Sequence, residues 1–199
     1  MATSSKKIIM KEISSHGPGW AFCAKDFLAK LKRNDIDTAL FYLEKEKKIR
    51  RIMRGIYDCP SFSVLLQKNV APDMDQVASA IARNLHHEMQ PTGNMALNYL
   101  KLSTQIPAKF VFLWDGKSQD FSVGDQVIHF KRAPKKDFLP KLPKSRLLVQ
   151  ALRILEKPIS QETKLVLKGN FDPTEWKQIL KDTVAVPNHL YRQICELAQ

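Results

Sequence analysis

Between residues 34 and 60 the apolar side chains change period, and the change marks two kinds of structure. Ile36, Ala39, Leu40 and Leu43 stand at i, i+3, i+4 and i+7, which puts all four on one face of a helix. From Lys48 the run Lys48-Ile49-Arg50-Arg51-Ile52-Met53-Arg54 mixes β-forming residues with cations, and Gly55 supplies a flexible point before Ile56-Tyr57. A basic strand and turn directly after a helix is the layout of a recognition helix and its wing, a rod for the major groove and a cationic flap for the adjacent phosphates. Upstream, residues 22–31 read as a second short apolar helix. Arg33-Asn34-Asp35 reads as a polar turn in which Asn34 or Asp35 caps the next helix. Residues 4–15, with Ile8, Ile9 and Ile13 apolar, read as a third helix, closed by Gly17-Pro18-Gly19.

After Pro60 the pattern alters. Residues 61–72 read as a linker with a helical turn at Val64-Leu65-Leu66, ending at Ala71-Pro72. Asp73 then caps a helix whose Met74, Val77, Ala78, Ile81 and Leu85 share one face, with Arg83 on the other, and Pro91-Thr92-Gly93 breaks it. Residues 94–100 form a shorter helix. Strands at 110–114, around Phe121 and at 127–130, with turns at Asp115-Gly116 and Gly124-Asp125, read as a three-stranded meander. The tail is helical. Residues 145–155 carry a stripe of Leu147, Leu148, Ala151, Leu152 and Leu155, and Ser160 caps the helix that follows. Asp172-Pro173-Thr174-Glu175 combines a capping Asp, Pro at the first helical position and Glu three residues after the cap. Trp176, Ile179 and Leu180 form that helix's buried face, and Pro187 restarts a last helix with Leu190, Ile194 and Leu197 apolar. The fold class expected is therefore α+β. A winged helix-turn-helix at 1–60 and a linker at 61–72 precede a mixed helical domain at 73–199, whose helices cover one face of a small antiparallel β-meander.

Charge adds a direction to this picture. The 199 residues carry a formal net charge of +12, with 32 Lys and Arg against 20 Asp and Glu, and residues 1–60 hold 13 of those cations against 7 of the acids. A surplus of this kind attracts polyanions and supplies most non-specific nucleic-acid affinity, although solvated lysine-rich faces produce the same count. Cys23, Cys59 and Cys195 are odd in number and far apart, which suggests neither a disulfide framework nor a zinc site. No hydrophobic run has the length of a signal peptide or a membrane helix, so a cytoplasmic protein with no membrane partner is expected.

A helical wheel with the four apolar residues inward leaves Thr38, Phe41, Tyr42 and Lys45 outward. Thr38 suits a base edge or phosphate, Phe41 a thymine methyl, Tyr42 a phosphate and Lys45 the backbone, while Phe41 and Tyr42 equally suit packing on the wing or on another protomer. Lys48, Arg50, Arg51 and Arg54 would meet phosphates from the wing, with at least one arginine held by a neighbouring carboxylate instead. A second basic cluster at 131–146 includes Lys131, Arg132, Lys135, Lys136, Lys141, Lys144 and Arg146, and its prolines make a stiff loop. RNA, DNA beside the operator, or an acidic protein surface would all fit it, as would a merely solubilising role. Ser103, Thr104 and Gln105 either cap backbone groups or join Asn98 and Arg83 in a polar pocket for a partner.

Catalytic patterns are poor. The chain has no phosphate-binding loop, no H-E-x-x-H and no G-x-S-x-G; His86 and His87 point apart on a helix, and Pro72-Asp73 with Glu162-x-Lys164 is only a distant echo of a nuclease. The reading is of a protein with no catalytic residues, metal or cofactor.

Two blocks of residues go further. Phe22-x-x-x-Asp26-Phe27, Ala39-Leu40-x-x-Leu43 and Lys48-Ile49-Arg50-Arg51-x-x-Arg54-Gly55-Ile56-Tyr57 make the first; Ala80-Ile81-Ala82-Arg83, Gly93-x-x-Ala96-Leu97-Asn98 and Leu102-Ser103-Thr104-Gln105-Ile106-Pro107-Ala108-Lys109 make the second. Together they resemble the AbiEi-type antitoxins of type IV toxin–antitoxin (abortive infection) systems. The resemblance implies an N-terminal winged helix that binds double-stranded DNA in its own promoter as a transcriptional repressor. It also implies a C-terminal part that counters a nucleotidyltransferase-like toxin. The alternative is a non-catalytic RNA- or protein-binding module that uses the same helix as an interaction surface. Where the family has glycine at two helix ends this chain has Lys47 and Lys101, at a cost of about 1 kcal/mol each if the left-handed backbone is kept. Tyr42 stands where the family often has arginine, so base contacts do not carry across.

Overall fold

A short helix with one apolar stripe needs a partner surface, and in this chain the partner is either another helix or a small sheet. The computed structural model describes residues 2–65, 67–105, 109–155 and 158–199. In chain order the elements are α1 (Ala2–His16), β1 (Ala21–Cys23), a 3-10 turn (Ala24–Phe27), α2 (Arg33–Lys45), β2 (Arg50–Met53) and β3 (Ile56–Asp58). Then come β4 (Phe62–Ser63), β5 (Lys68–Asn69), α3 (Met74–Leu85), β6 (Met89–Pro91), α4 (Gly93–Tyr99), β7 (Phe110–Trp114), β8 (Gln119–Val123) and β9 (Gln126–Arg132). A second 3-10 turn (Lys135–Phe138) leads to α5 (Pro143–Ile154), α6 (Gln161–Gly169), α7 (Pro173–Asp182) and α8 (Asn188–Leu197). The protein is α+β. It divides into two compact units, Met1–His87 with Phe121–Ile128, and Glu88–Asp120 with His129–Gln199.

In the first unit β1, β3 and β2 form a three-stranded sheet with β3 in the middle, antiparallel to both neighbours. Ile36, Ala39, Leu40 and Leu43 of α2 are buried as their spacing predicts, in one cluster with Ile9 and Ile13 of α1 and with Phe22, Phe27 and Ile49. The expected second helix is mostly absent. Phe22 and Cys23 are fully buried and pair with Tyr57 and Ile56, so the strand pairing claims them and leaves only the 3-10 turn. In that turn the Asp26 carboxylate accepts from the Cys23 N–H at 2.9 Å. The polar turn expected at Arg33-Asn34-Asp35 also lies elsewhere. α2 begins at Arg33 with Lys32 at the cap and no side-chain capping bond, and Asp35 sits inside the first turn, where a carboxylate favours the helix dipole.

The linker is a structured piece. β4 and β5 pair antiparallel, the Val70 N–H donates to the Ser61 carbonyl at 2.8 Å, and Arg50 Nη1 donates to the Val70 carbonyl at 3.1 Å. Of the helical turn expected at Val64-Leu65-Leu66, Val64 and Leu65 follow β4 as a turn, with Leu65 92% exposed, and Leu66 lies outside the described residues. α3, expected to open the second domain, belongs to the first unit and packs on β1 and β3. Asp73 caps it through the N–H groups of Asp75 and Gln76. Met74, Val77, Ala78 and Ile81 are buried as expected, and so are Ala80 and Ala82, which widens the packed face; Leu85 is exposed.

The second unit has a helical core of Leu148, Leu152, Trp176, Ile179, Leu190 and Ile194 with their neighbours. Asp172 and Glu175 form the predicted reciprocal cap of α7, and Ser160 caps α6. Gly93 is required by packing: a Cβ there would lie 2.8 Å and 2.9 Å from Ile154 and 3.0 Å from the Gln150 carbonyl. The strands depart from a meander. Their order is β6-β7-β9-β8, so β9 separates β7 from β8, and Met89–Pro91 adds an edge strand where the sequence pattern predicts only a helix break. Pro91 is tolerated there because an edge strand has a face with no ladder to serve. The segment 131–146 is not a stiff loop either. It runs from the end of β9 through a 3-10 turn into the first turn of α5, where Pro143 occupies an early helical position that needs no donor.

Lys47 and Lys101 both adopt a left-handed backbone. Lys47 has φ 56° and Lys101 φ 57°. Beyond each, the next N–H closes back on the helix, Lys48 to the Leu43 carbonyl at 3.0 Å and Leu102 to the Leu97 carbonyl at 2.8 Å. This is the left-handed helix stop that glycine usually provides, built here with a strained side chain.

Candidate functional site

The outward face of α2 is formed as predicted. Thr38 and Lys45 are exposed, Phe41 is 60% exposed and Tyr42 42%, and the two rings meet edge to face at 5.5 Å. Lys6 of α1 sits over the Tyr42 ring at 5.7 Å, so one side of the ring faces a cation of α1. A rigid aromatic pair on a short helix, flanked by a cation, offers both apolar area and a phenolic hydroxyl to a ligand.

The cations on and just before the β2–β3 hairpin divide into two classes. Arg50 stands opposite Asp58 in the β2–β3 register, and its Nε and Nη2 donate to the two Asp58 oxygens at 3.0 Å and 2.5 Å. Asp58, on the central strand, is 1% exposed. A buried carboxylate needs this partner, so Arg50 is a structural residue and is withdrawn from the nucleic-acid contacts. Lys48 pairs with Glu46 at 2.8 Å, and the same carboxylate receives Lys6 at 2.5 Å. Lys48, then Lys6, pulls the Glu46 carboxyl down from its ordinary 4.5 to about 2. A pKa lowered in the folded state adds stability that is present above 4.5 and lost as pH falls toward about 2, so Glu46 remains a counter-charge to Lys48 at any working pH. Arg51 and Arg54 are exposed, and neither has an ion-pair partner among the described residues.

Arg83 is committed inside the first unit. It donates to both Asp26 oxygens at 2.8 Å and 3.1 Å and to the Ala21 carbonyl at 2.8 Å, which ties α3 to β1 and the turn after it. Asn98 and Ser103-Thr104-Gln105 lie in the second unit. Ser103 Oγ accepts from the Gln105 N–H at 3.2 Å, the local capping alternative. Ile106, Pro107 and Ala108 of the same motif lie outside the described residues.

In the second basic cluster several charges are spoken for. Lys144 pairs with Glu175; Arg146 donates to Glu88 at 2.5 Å and to the Pro140 carbonyl at 2.6 Å; Lys141 is 3.6 Å from Glu88. The Asp182 carboxylate caps the Lys141 and Leu142 N–H groups, each at 2.9 Å. Lys135 and Lys136 remain exposed on the 3-10 turn.

The sequence pattern does not single out Asp58 and Glu46, the two acids that sort the cations around the hairpin. A signal existed for Asp58: Arg50 and Asp58 lie four residues either side of Arg54, which places them opposite each other in any hairpin centred there. Other chemistry is weak. Burial pushes the Cys23 and Cys59 thiols up, away from the reactive thiolate, and among the described residues no His, Cys, Asp or Glu cluster could hold a metal ion. Asp73 caps α3 and Glu162 lies in the first turn of α6, in different units, so the two nuclease-like fragments do not share a strand pair. Among the described residues no helix is long and apolar enough to cross a membrane.

Comparison with known proteins adds a family and no activity. No curated protein matches the chain. A family model described as a family of unknown function, DUF6088, matches residues 8–168, a stretch that takes in all of α1 beyond its first turns, α2, the β2–β3 hairpin and the chain through most of α6. The chain therefore belongs to the DUF6088 family.

Proposed function

We propose that the first unit is a winged helix-turn-helix that binds double-stranded DNA, and that the protein represses its own promoter and serves as the antitoxin of a nucleotidyltransferase-like toxin. The DNA-binding reading rests on one observation. α2 presents Thr38, Phe41, Tyr42 and Lys45 outward, immediately before an antiparallel hairpin that carries two exposed arginines, Arg51 and Arg54, with no ion-pair partner among the described residues. The order α1, β1, 3-10 turn, α2, β2, β3 and the sheet order β1-β3-β2 support the winged-helix assignment. In this reading α2 enters the major groove and the hairpin arginines meet the flanking phosphates. Autorepression and the antitoxin role come from the family resemblance of the two residue blocks, and the second unit is the part assigned to the toxin.

A gel shift of the full-length protein on the duplex upstream of its own gene, against a scrambled duplex, tests the first half. Preferential retardation of the upstream duplex is expected, with the preference reduced by Thr38→Ala or Lys45→Ala. Equal retardation of both duplexes would remove the repressor reading. Co-expression with a neighbouring nucleotidyltransferase-like protein tests the second half, with relief of growth arrest expected. One observation favours a second reading: Phe41, more than half exposed beside Tyr42, also suits an apolar pocket on a protein partner, and the helix would then be an interaction surface. Absence of any DNA binding at low salt would select that reading.

A further inference from the structure

We propose that the second unit binds a nucleoside polyphosphate in a two-part cleft beside β7 and β9. The inference goes beyond the DNA-binding reading and does not rest on it. Along β9 the strand alternation buries Ile128 and Phe130 and turns His129 and Lys131 the other way. Both line a cavity of about 620 Å³, together with Lys109, Val111, Ser118, Phe130 and Arg132. Lys109, Lys131 and Arg132 have no ion-pair partner among the described residues, in contrast to Lys141, Lys144 and Arg146 further along the chain. Asp120 is the acid on the lining, and it is held by His129 at 2.9 Å. Ser118 Oγ accepts the Arg132 N–H at 3.0 Å, which leaves its hydroxyl proton to donate outward. Three cations without a carboxylate partner and a hydroxyl on one wall suit a chain of phosphates.

A second cavity of about 480 Å³ shares Lys109, Val111 and Lys131 with the first, and among the described residues the rest of its wall is neutral: Thr92, Asn94, Met95 and Ile154 contribute a hydroxyl, an amide and apolar surface. The two compartments meet at Lys109 and Lys131. A ligand with a polyanionic end and a flat, hydrogen-bonding, partly apolar end has the same division, and each cavity lies in the volume range of small-molecule sites. Nucleoside di- and triphosphates are the chemical class that fits both ends.

Calorimetric titration of the full-length protein with ATP, GTP, inorganic tripolyphosphate and adenosine tests this, on the wild type and on Lys109→Glu, Lys131→Glu and, as a control on an exposed site of α7, Lys177→Glu. Circular dichroism confirms that each variant is folded. The expected result is binding of at least one nucleotide with a Kd below about 1 mM. Affinity should be weakened at least about tenfold by each cleft variant and left unchanged by Lys177→Glu, with tripolyphosphate weaker than the nucleotide and adenosine weaker still. Failure of both nucleotides to bind overturns the proposal, as does an equal loss in Lys177→Glu, which would mean net charge alone. Tripolyphosphate matching the nucleotide removes the neutral compartment from the account and overturns it too. Binding of a single-stranded RNA without binding of either nucleotide would assign the cleft to a different class of ligand.

Discussion

Two basic stretches look alike in sequence and differ in the folded protein. In the stretch 48–54, Lys48 and Arg50 are neutralised by Glu46 and Asp58, acids no more than eight residues away, and Arg51 and Arg54 are left free on the hairpin among the described residues. In the stretch 131–146 the neutralising acids come from far along the chain: Glu88 is 58 residues from Arg146 and Glu175 is 31 from Lys144. The comparison separates charge from available charge. A cation count gives the long-range field, but only cations without a buried or capping partner can exchange counterions for phosphates.

The sharpest way to break the comparison is to treat neighbouring arginines alike. Arg50→Ala strips the partner from a buried Asp58 and is expected to lower stability by about 2–3 kcal/mol, discounted for the partial exposure of the guanidinium, whereas Arg51→Ala is expected to change it by less than about 0.5 kcal/mol. Urea denaturation of the two variants checks this; similar losses would mean that Arg51 is also structural.

A second test asks whether the two regions stand on separate cores. Gly93→Ala forces a methyl group against Ile154 and the Gln150 carbonyl and is expected to cost about 1–3 kcal/mol, while DNA affinity at a temperature where the protein stays folded is unchanged. Thermal unfolding together with the gel shift gives both quantities.

Lys47→Gly works in the opposite direction, because it removes a side chain from a left-handed residue between α2 and β2. A gain of about 0.5–1 kcal/mol is expected, read as a higher urea midpoint. The smallest effect is expected in the second basic stretch. Reversing Lys135 and Lys136 to Glu should leave the unfolding midpoint unchanged, and reversing Lys141 and Lys144 should lower it slightly, since only the latter pair sits against carboxylates.

These contrasts also show what a sequence displays and what it hides. The stripe Ile36, Ala39, Leu40, Leu43 and the reciprocal cap at Asp172 and Glu175 are legible because a helix repeats its pattern over several turns and fixes its ends with side-chain chemistry. β1, β4, β5 and β6 are not, because strands of two or three residues are too short to display an alternation, and Phe22 and Cys23 are both buried. The membership of α3 in the first unit is hidden for another reason. Arg83 and Asp26 are 57 residues apart, and nothing local to either announces the pair. Within the candidate site, the helix face is readable from a wheel, and the division among the wing's cations requires the hairpin register as well.

The central claim, that Arg51 and Arg54 are the wing's free cations and meet the DNA backbone, is tested most directly by the salt dependence of DNA binding. Affinity of the full-length protein for the upstream duplex should be measured across a range of salt concentrations for the wild type and for the Arg51→Ala, Arg54→Ala double variant. The account predicts weaker binding to operator and random duplexes alike, and a log–log slope shallower by up to about 0.9 for each phosphate that is no longer neutralised. A double variant that keeps the wild-type slope would contradict it.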